Sequence, residues 1–313
     1  MSERIIALVG PTGVGKTALA LDLAERLDAE IVNADSRQVY RYLDIGSAKP
    51  TAAERARVPH HVFDVVDPDE PFDCARYREL ALAAIAAIEQ RGRRVLVVGG
   101  TGLYLKALRY GLFPGPARDA TVRRRLEAEE DAAPGALHRR LSASDPVTAA
   151  RLHPHDRVRL IRALEVQLLT GRPMSAWQRE HGFCATAVPM TMIGLTLERT
   201  RLRARIAERC RAMVEAGLIE EVRGLWARGY DRTLPILRTI GYREMGAVAA
   251  GEATLDEALG AMIRATCQLA KRQLTWFRAD PTIRWFEAEH DRSAVFQTLH
   301  LGDRSLPLIE SAG

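Results

Sequence analysis

The sequence has little cysteine and no hydrophobic run of membrane-spanning length. Its four cysteines, Cys74, Cys184, Cys210 and Cys267, are far apart, and no Cys-x-x-Cys or Cys/His ligand spacing occurs. This distribution argues against a zinc site and a disulfide framework, and it favours reduced thiols in the cytosol. The first four residues lead directly into an apolar run at 5–9, so we expect no signal peptide and a cytoplasmic protein without a membrane partner.

The composition is typical of a globular protein with a substantial core. Of the 313 residues, 47% are hydrophobic and 27% are charged, and this length corresponds to one large domain or two smaller ones. The net charge of +5 is compatible with a polyanionic partner, although an excess this small does not identify one.

The most informative motif is the glycine-rich segment at residues 10–17, Gly-Pro-Thr-Gly-Val-Gly-Lys-Thr. It follows a strand-like run and precedes a helical pattern, which is the context of a P-loop that binds a di- or triphosphate. The alternative, a glycine turn with a chance Lys-Thr pair, is disfavoured by eight matching positions in that context. The predicted phosphate-binding residues are Gly10, Pro11, Thr12, Gly13, Val14, Gly15, Lys16 and Thr17, with the hydroxyl of Thr17 as a ligand of Mg²⁺.

Strand patterns alternate with helical ones, which predicts an α/β fold with a P-loop NTPase-like parallel sheet. The predicted strands are 5–9, 30–33, 62–66, 94–98 and 191–197, and the predicted helices are 74–90, 103–109, 199–216, 219–228 and 255–277. A breaker cluster at 113–116 is followed by short helical patterns rich in arginine and histidine. We therefore predict a helical insertion domain at 117–185 within a core of residues 1–116 and 186–313, with weak signals after residue 288.

Two polar segments follow predicted strands at the sheet edge where the P-loop lies. Asp35, within residues 33–38, can hold Mg²⁺ or act as a base, but a helix cap explains it equally well. Thr101, in the Gly-Gly-Thr-Gly segment at 99–102, can donate a hydrogen bond into the cleft, and a plain strand-to-helix turn is the alternative. No apolar run ends in an obvious metal-side acid, which counts against a motor-type ATPase.

Basic residues are concentrated in three helical patterns. They are Arg157, Arg159 and Arg162; then Arg199, Arg201, Arg203, Arg205, Arg209 and Arg211; and finally Arg264, Lys271, Arg272 and Arg278 beside Trp276 and Phe277. One such helix alone is usually a solvated face, but three in a basic P-loop protein favour RNA or DNA binding. A Gly-Tyr-Arg turn at 241–243 fits a nucleic-acid contact or a purely structural role.

Taken together, these residues resemble the tRNA dimethylallyltransferases, also called isopentenyl-tRNA transferases. The matching blocks lie at 10–17, 33–40, 44–50, 60–61, 99–104, 162–166, 170–173, 240–244 and 271–278. The Asp-Ile-Gly-Ser-Ala-Lys-Pro, Gly-Gly-Thr-Gly-Leu-Tyr and Lys-Arg-Gln-Leu-Thr-Trp blocks are far more specific than the P-loop. One departure is Cys267, which stands where the family often carries arginine and would weaken one RNA contact.

The resemblance implies transfer of a dimethylallyl group from its diphosphate to the exocyclic amine of the adenine 3′ to the tRNA anticodon. It implies that Lys16 and Mg²⁺ stabilise the leaving diphosphate, with Arg205 on the opposite wall. Asp35 would accept the amine proton, and Thr101 would orient the amine or a phosphate oxygen, once the adenine has left its stack.

The resemblance also implies that the insertion domain holds the anticodon stem-loop, and we expect a monomer. The residues it implies as tRNA contacts are Asp35, Ser36, Arg37, Gln38, Thr101, Arg123, Arg159, Leu160, Ile161, Arg162, Ala163, Ile240, Gly241, Tyr242, Arg243, Lys271, Arg272 and Arg278.

Two other functions share part of this evidence. A P-loop kinase of a nucleotide or small metabolite would share residues 10–17 and the α/β core, but it leaves the Arg/Trp-rich block near the C-terminus unexplained and needs a pair of lid arginines. A nucleic-acid-binding NTPase module would require ATP hydrolysis and the metal-side acid that this sequence lacks.

Overall fold

The computed structural model describes residues 5–182 and 188–299 of the chain. It divides into two compact units, which we call the α/β unit and the helical unit. The α/β unit is formed by the chain up to Arg109 and from Pro189 onward, and the helical unit is Tyr110–Val188. The helical unit includes the segment predicted as an insertion, 117–185, and extends beyond it at both ends.

The α/β unit is built on a sheet in which every neighbouring pair of described strands is parallel. The strands are β1 (Ile5–Val9), β2 (Ala29–Asn33), β3 (His60–His61), β4 (Arg94–Gly99), β5 (Thr191–Thr196) and β6 (Arg284–Glu287), in the order β3-β2-β4-β1-β5-β6. Strands β1 and β2 are buried along their whole length, as expected for a parallel sheet covered on both faces. The predicted fold class is therefore confirmed.

The helices of both units follow from local sequence signals. In chain order they are α1 (Lys16–Leu27), α2 (Ala52–Arg57), α3 (Cys74–Gln90), α4 (Gly102–Tyr110), α5 (Ala120–Ala132), α6 (Ala136–Ser144), α7 (Pro146–Ala149), α8 (Arg157–Thr170), α9 (Met174–His181), α10 (Arg199–Glu215), α11 (Leu218–Ala227), α12 (Tyr242–Ala249), α13 (Leu255–Arg278) and α14 (Arg292–Thr298). The carboxylate of Asp73 caps α3, and Thr254 caps α13 in a capping box with Glu257. Among the residues described, no helix combines the length and the apolar character needed to cross a membrane.

One predicted strand is wrong, and five of the strands and α-helices were missed. At 62–66 the chain does not continue β3, because Val62 and Asp64 have φ of 64° and 54° and such left-handed residues end an extended strand. This conformation brings the Asp64 carboxylate to Lys49 at 2.5 Å and to Arg55 at 2.7 Å. The elements missed are α2, β3, α12, β6 and α14; the last two lie near and within the region of weak signals.

Each unit has its own hydrophobic core. In the α/β unit the core joins strand residues such as Ile6 and Leu8 to Ile206 of α10 and Met262 of α13. Packing in this core holds α10 and α13 against the sheet, so the two helices can reach the loops at its edge. In the helical unit the core is formed around the leucines of α5, α6 and α8: Leu126, Leu137, Leu141, Leu160 and Leu164.

Candidate active site

The P-loop connects the end of β1 to the first turn of α1 and is shaped by its glycines. Gly13 and Gly15 have φ of 82° and 104°, in the left-handed region that glycine adopts without strain. At Gly10 a Cβ atom would lie 2.6 Å from the carbonyl oxygen of Leu195 in β5, so a larger residue would not fit. The loop leads into the N-terminus of α1, where free N–H groups and the helix dipole favour an anion.

Lys16 folds back over this loop. Its ammonium group donates to the carbonyl oxygens of Gly10 at 3.0 Å and Pro11 at 2.8 Å, and both partners are uncharged. Burial lowers the pKa of Lys16 from 10.5 to about 8, while the charge of Asp35 opposes this shift and that of Arg209 adds to it. An anion beside this ammonium group would compensate for the burial of its charge.

Arg209 of α10 is the arginine that contacts a P-loop side chain. Its Nη2 donates to the hydroxyl of Thr12 at 2.5 Å, and its buried Nε finds no hydrogen-bond partner among the described residues. Burial lowers the pKa of this guanidinium. Arg205, which the resemblance implied at the diphosphate, donates to the carbonyl oxygen of Val14 at 3.5 Å and pairs with Glu289 at 2.9 Å. Arg209 forms no ion pair with any residue that the structure describes and is therefore the stronger candidate for an anion contact.

Helix α13 also reaches the P-loop, through Gln273. The N–H of Thr12 donates to Oε1 of Gln273 at 2.8 Å, and Nε2 of Gln273 donates to the carbonyl oxygen of Gly100 at 2.9 Å. One turn along the helix, Trp276 covers Gly102, where a Cβ atom would lie 2.1 Å from the indole nitrogen. The turn after β4 and the start of the P-loop are thus held together by one helix.

Asp35 lies in a loop that follows β2 and is attached to the turn after β4. The N–H of Ser36 donates to Oγ1 of Thr101 at 3.0 Å, and the N–H of Asp35 donates to Oδ1 of Asn33 at 2.9 Å. Oδ1 of Asp35 accepts the N–H of Arg37 at 2.9 Å in a turn of its own, and no helix follows. A helix cap is therefore excluded, and the other oxygen of the carboxylate accepts no hydrogen bond from the described residues.

The sheet order determines how these loops lie. Strand β4 lies between β1 and β2, so the turn carrying Thr101 separates the P-loop from the Asp35 loop. The charge of Asp35 nevertheless acts on both Lys16 and Arg209, which brings all three into one electrostatic site. Within the part of the chain that the structure describes, no group of three or more His, Cys, Asp or Glu side chains could hold a metal ion.

The segment after the Asp35 loop is held by a carboxylate that the sequence did not indicate. Glu221 of α11 accepts the N–H groups of residues 44–46 at distances between 2.7 and 3.1 Å, and it also accepts the hydroxyl of Tyr242 at 2.7 Å. The side-chain amide of Gln38 donates to the carbonyl oxygens of residues 47–48 at 3.1 and 2.9 Å. Glu221 thereby supports the backbone that holds Gln38.

The Gly-Tyr-Arg turn has mainly a structural role. Tyr242 is only 2% exposed, and its ring lies where a Cβ atom on Gly46 would be, 2.6 Å from a ring carbon. Ile240 packs against the core, and Gly241 has a φ of 93°. Arg243 keeps an exposed side chain, and its guanidinium pairs with the buried carboxylate of Glu244, so it is the most accessible charge of this segment but already has an acidic partner.

In the helical unit, two of the arginines implied as tRNA contacts are bonded internally. Arg123 and Arg162 donate to the fully buried carboxylate of Glu165 at 2.8 Å and 2.7 Å. Burial raises the pKa of Glu165, but the hydrogen bonds from both arginines and from the N–H of Asp119 outweigh it and lower the pKa to about 2. The carboxylate therefore stays charged and holds α5 to α8.

The segment 159–163 of α8 contains both buried residues and an exposed arginine. Leu160, Ile161 and Ala163 are buried in the core of the helical unit, so their side chains are committed to packing. Arg159 is 66% exposed and pairs with Asp156, the residue that caps the N-terminus of its own helix. Of this segment, Arg159 has the most accessible charge.

Helix α13 carries exposed cations without ion-pair partners among the described residues. Lys271, Arg272 and Arg278 are exposed, and none forms an ion pair with another described residue. Cys267, on the same helix, is half-buried, and the described cysteines are not disulfide-bonded. Cys184 lies outside the described residues. The exposed cations of α13 are free to meet phosphate groups.

Comparison with known proteins gives consistent results. Residues 38–280 match the family model described as IPP transferase. A tRNA dimethylallyltransferase of Geobacter metallireducens is 53% identical over 300 residues, which cover 95% of this chain and 96% of that protein. The chain belongs to the IPP transferase family. The prediction of a prenyltransferase enzyme is therefore confirmed.

Two solved structures are similar to this chain in fold. The tRNA isopentenylpyrophosphate transferase of Bacillus halodurans has a TM-score of 0.69 and 40% identity, with 96% of this chain and 97% of that chain covered. A eukaryotic dimethylallyltransferase acting on tRNA has a TM-score of 0.77 and 27% identity, with 95% and 78% covered.

Sequence reasoning missed three residues of this IPP transferase site: Arg209, Gln273 and Glu221. Arg209 belongs to the arginine-rich pattern, but only the packing of α10 distinguishes it from Arg205, one helical turn away. Gln273 lies inside the specific Lys-Arg-Gln block, but only the adjacent cations Lys271 and Arg272 were interpreted as functional residues. Nothing local marks Glu221, because its partners lie up to 177 positions away.

Proposed function

We propose that this chain transfers a dimethylallyl group from dimethylallyl diphosphate to the exocyclic amine of the adenine directly 3′ to the tRNA anticodon. The observation that carries the proposal is the pair Lys16 and Arg209, two half-buried cations at the P-loop whose hydrogen-bond partners among the described residues are all uncharged. Such a site favours a compact anion, and a diphosphate is the leaving group that this transfer requires.

The donor side needs charge stabilisation. As the bond between the allylic carbon and the bridging oxygen breaks, negative charge grows on the diphosphate, and Lys16, Arg209 and the loop N–H groups would stabilise it. Thr17, exposed at the start of α1, fits a magnesium ion held mainly by phosphate oxygens, since Mg²⁺ needs few protein ligands. When bound, that ion would supply further positive charge to the leaving group.

The acceptor side needs a base. The amine nitrogen forms a bond to the allylic carbon as the diphosphate leaves, and the nitrogen then gives up one proton. Asp35 is suited to accept it, because one carboxylate oxygen is fixed by Arg37 and the other takes no hydrogen bond from the described residues. Oγ1 of Thr101 accepts the N–H of Ser36, which leaves its own hydrogen to orient the amine or a phosphate oxygen.

The RNA partner is assigned to exposed cations. Lys271, Arg272 and Arg278 of α13, with Arg243, would contact phosphates, and the helical unit would hold the anticodon stem-loop through residues such as Arg159. We further propose that the enzyme acts as a monomer in the cytoplasm.

A transfer assay tests the proposal. Labelled dimethylallyl diphosphate and unmodified tRNA should give labelled tRNA, whereas the same tRNA with guanine in place of the adenine next to the anticodon should not. Asp35→Asn should reduce the single-turnover rate by about a hundred- to ten-thousandfold, because the amide cannot accept the proton. tRNA binding should persist, since the phosphate contacts lie elsewhere.

Two outcomes would change this assignment. Rescue of Asp35→Asn by raised Mg²⁺ would make Asp35 part of the metal site rather than the base. Consumption of ATP coupled to a small-molecule acceptor, without labelled tRNA, would favour the P-loop kinase instead.

A further inference from the structure

Gln273 has an environment that differs from that of every neighbouring polar residue on α13. Lys271, Arg272 and Thr275 are exposed, whereas the amide of Gln273 is inserted between two loops of the active site. Its oxygen accepts the N–H of Thr12 and its nitrogen donates to the carbonyl oxygen of Gly100. Because one partner is a donor and the other an acceptor, these two contacts determine which end of the amide faces which loop.

The turn after β4 is shaped to receive this helix. A Cβ atom on Gly100 would lie 2.3 Å from Nε2 of Gln273, and one on Gly102 would lie 2.1 Å from the indole nitrogen of Trp276. The side chains of Gln273 and Trp276 therefore occupy the space that a Cβ atom at either glycine would need. The helix and the two loops pack closely, so a shift of either loop would break its hydrogen bond to Gln273.

Thr12 is consequently held from two helices. Oε1 of Gln273 in α13 accepts the N–H of Thr12 at 2.8 Å, and Nη2 of Arg209 in α10 donates to the hydroxyl oxygen of Thr12 at 2.5 Å. The N–H of Thr12 is thus occupied by protein, so the remaining N–H groups of the loop are those that can bind phosphate. The position of the loop relative to Gly100 is set by a side chain 261 residues away.

We propose that Gln273 is a positioning residue for the transfer reaction, which sets the spacing between the P-loop and the turn that carries Thr101. The donor diphosphate lies on the first loop and the acceptor amine beside the second, so this spacing controls the approach of the nitrogen to the allylic carbon. The inference rests on the proposed function for the identity of the donor. Misplacement of reacting groups by about 1 Å can reduce a rate about a hundredfold.

This role predicts that different residues of α13 serve donor binding and tRNA binding. Variants at Gln273 should impair donor binding and turnover and leave tRNA affinity unchanged, because the cations that face RNA are retained. The variants are Gln273→Ala, which removes both hydrogen bonds, and Gln273→Glu, which keeps the shape. The matched control is Gln268→Glu, the same substitution at an exposed position of α13.

We expect Gln273→Ala to raise the KM for dimethylallyl diphosphate about tenfold and to lower kcat by about ten- to a hundredfold. Gln268→Glu should leave both unchanged. Filter binding of tRNA and thermal melting should show that both variants fold and bind RNA. A Gln273→Ala enzyme whose KM and kcat both stay within twofold of the original values would overturn the proposal.

The Glu variant adds a readout that packing alone would not alter. At pH 8 the Gln273→Glu carboxylate accepts the N–H of Thr12 but repels the carbonyl oxygen of Gly100, and on protonation it can donate to that oxygen. Its kcat/KM, divided by that of the original enzyme at the same pH, should rise as the pH falls from 6 towards 4.5, the range in which a glutamate begins to bind a proton. The same ratio for Gln273→Ala should stay flat. A flat ratio for both variants would contradict a positioning role through hydrogen bonds.

Failure of the donor assignment would be recognised separately. If the original enzyme does not use dimethylallyl diphosphate at all, the proposed function is wrong whatever the variants do. Calorimetric binding of inorganic diphosphate then still tests Gln273, since it reports on the loop alone. Weaker binding by Gln273→Ala than by Gln268→Glu supports the role of Gln273, and equal binding opposes it.

Discussion

Arg123 and Arg162 in the helical unit share the buried carboxylate of Glu165, whereas Lys16 and Arg209 in the α/β unit donate only to carbonyl and hydroxyl oxygens. The effects on pKa differ accordingly. The pKa of Glu165 falls to about 2, so that site is a stable ion cluster, while the pKa of Lys16 falls to about 8 because the effect of burial outweighs the opposing charge of Asp35.

This difference separates arginines that hold the fold from cations that await an anion. A buried charge is stable when a carboxylate pairs with it, and it is costly when only dipoles surround it. Lys16 and Arg209, which form no ion pair with a described residue, therefore indicate that the α/β unit binds the anionic ligand. The exposed cations of α13 form a third class, which neither stabilises the fold nor binds the donor and is suited to RNA phosphates.

Removing the compensating carboxylate should give the largest effect. Glu165→Ala leaves two guanidinium groups beside a buried cavity, and breaking such a pair typically costs about 3–5 kcal/mol. We expect the free energy of unfolding to fall by that amount in urea titrations. The control is Glu180→Ala, which breaks an exposed pair with Arg172 and should cost less than about 1 kcal/mol. If the two variants lost equal free energies of unfolding, the buried Glu165 cluster would be no more stabilising than an exposed ion pair.

The same carboxylate should make stability dependent on acid. Its pKa is about 2 in the folded unit and 4.5 for an ordinary glutamate, so the folded state binds the proton less tightly. The stabilisation is complete above about pH 4.5 and is lost as the pH falls towards 2. The stability difference between the original protein and Glu165→Ala should therefore shrink over that range, which urea titrations at several pH values would measure.

Removing an uncompensated cation should affect catalysis instead of folding. Lys16→Ala deletes a charge beside the leaving group, and we expect the transfer rate to fall about a hundredfold or more. The unfolding free energy should change little, because the loss of the hydrogen bonds to Gly10 and Pro11 is offset by removal of a desolvated charge that forms no ion pair with a described residue. Near-normal transfer by this variant would show that the P-loop is not the donor site.

The affinity for the donor should depend on pH because the pKa of Lys16 is lowered. Because the pKa of Lys16 is about 8 before the anion binds, the protonated form that a diphosphate prefers becomes scarce above that pH. Affinity for inorganic diphosphate should fall by up to about tenfold per pH unit above this value. Lys16→Arg, which stays charged, should remove this dependence between pH 7 and 10 even if it binds more weakly. Calorimetry would detect the accompanying proton uptake only in the original protein.

The smallest effect is expected at the exposed cations. Arg272→Ala should weaken tRNA binding a few-fold and reduce the salt slope of log K by about 0.7–0.9 for the lost phosphate contact. Its KM for the donor should not change, in contrast to Lys16→Ala. Filter binding between 50 and 300 mM salt would measure the slope. An unchanged slope would return Arg272 to the class of solvated surface residues.

Short-range features of this protein were predictable from the sequence. The P-loop depends on glycines at fixed spacing, and α3 matches its predicted range at both ends because a cap and a helical pattern define it. The Asp35 and Thr101 loops were expected at one sheet edge, since parallel strands bring their carboxyl ends together. The strand at 62–66 failed because Val62 and Asp64 adopt left-handed conformations in a segment of strand-forming residues.

The sequence by itself therefore determined the fold class, the phosphate cradle and the family-specific blocks, because each depends on neighbouring residues. Only the tertiary structure decided which charged side chains have partners. Arg209 and Thr12 are 197 positions apart, and Gln273 and Thr12 are 261 apart, so no local pattern records that they meet. Whether an arginine supports the fold, binds the donor or faces RNA depends on the burial and the charge around it, and both arise only when the chain is folded.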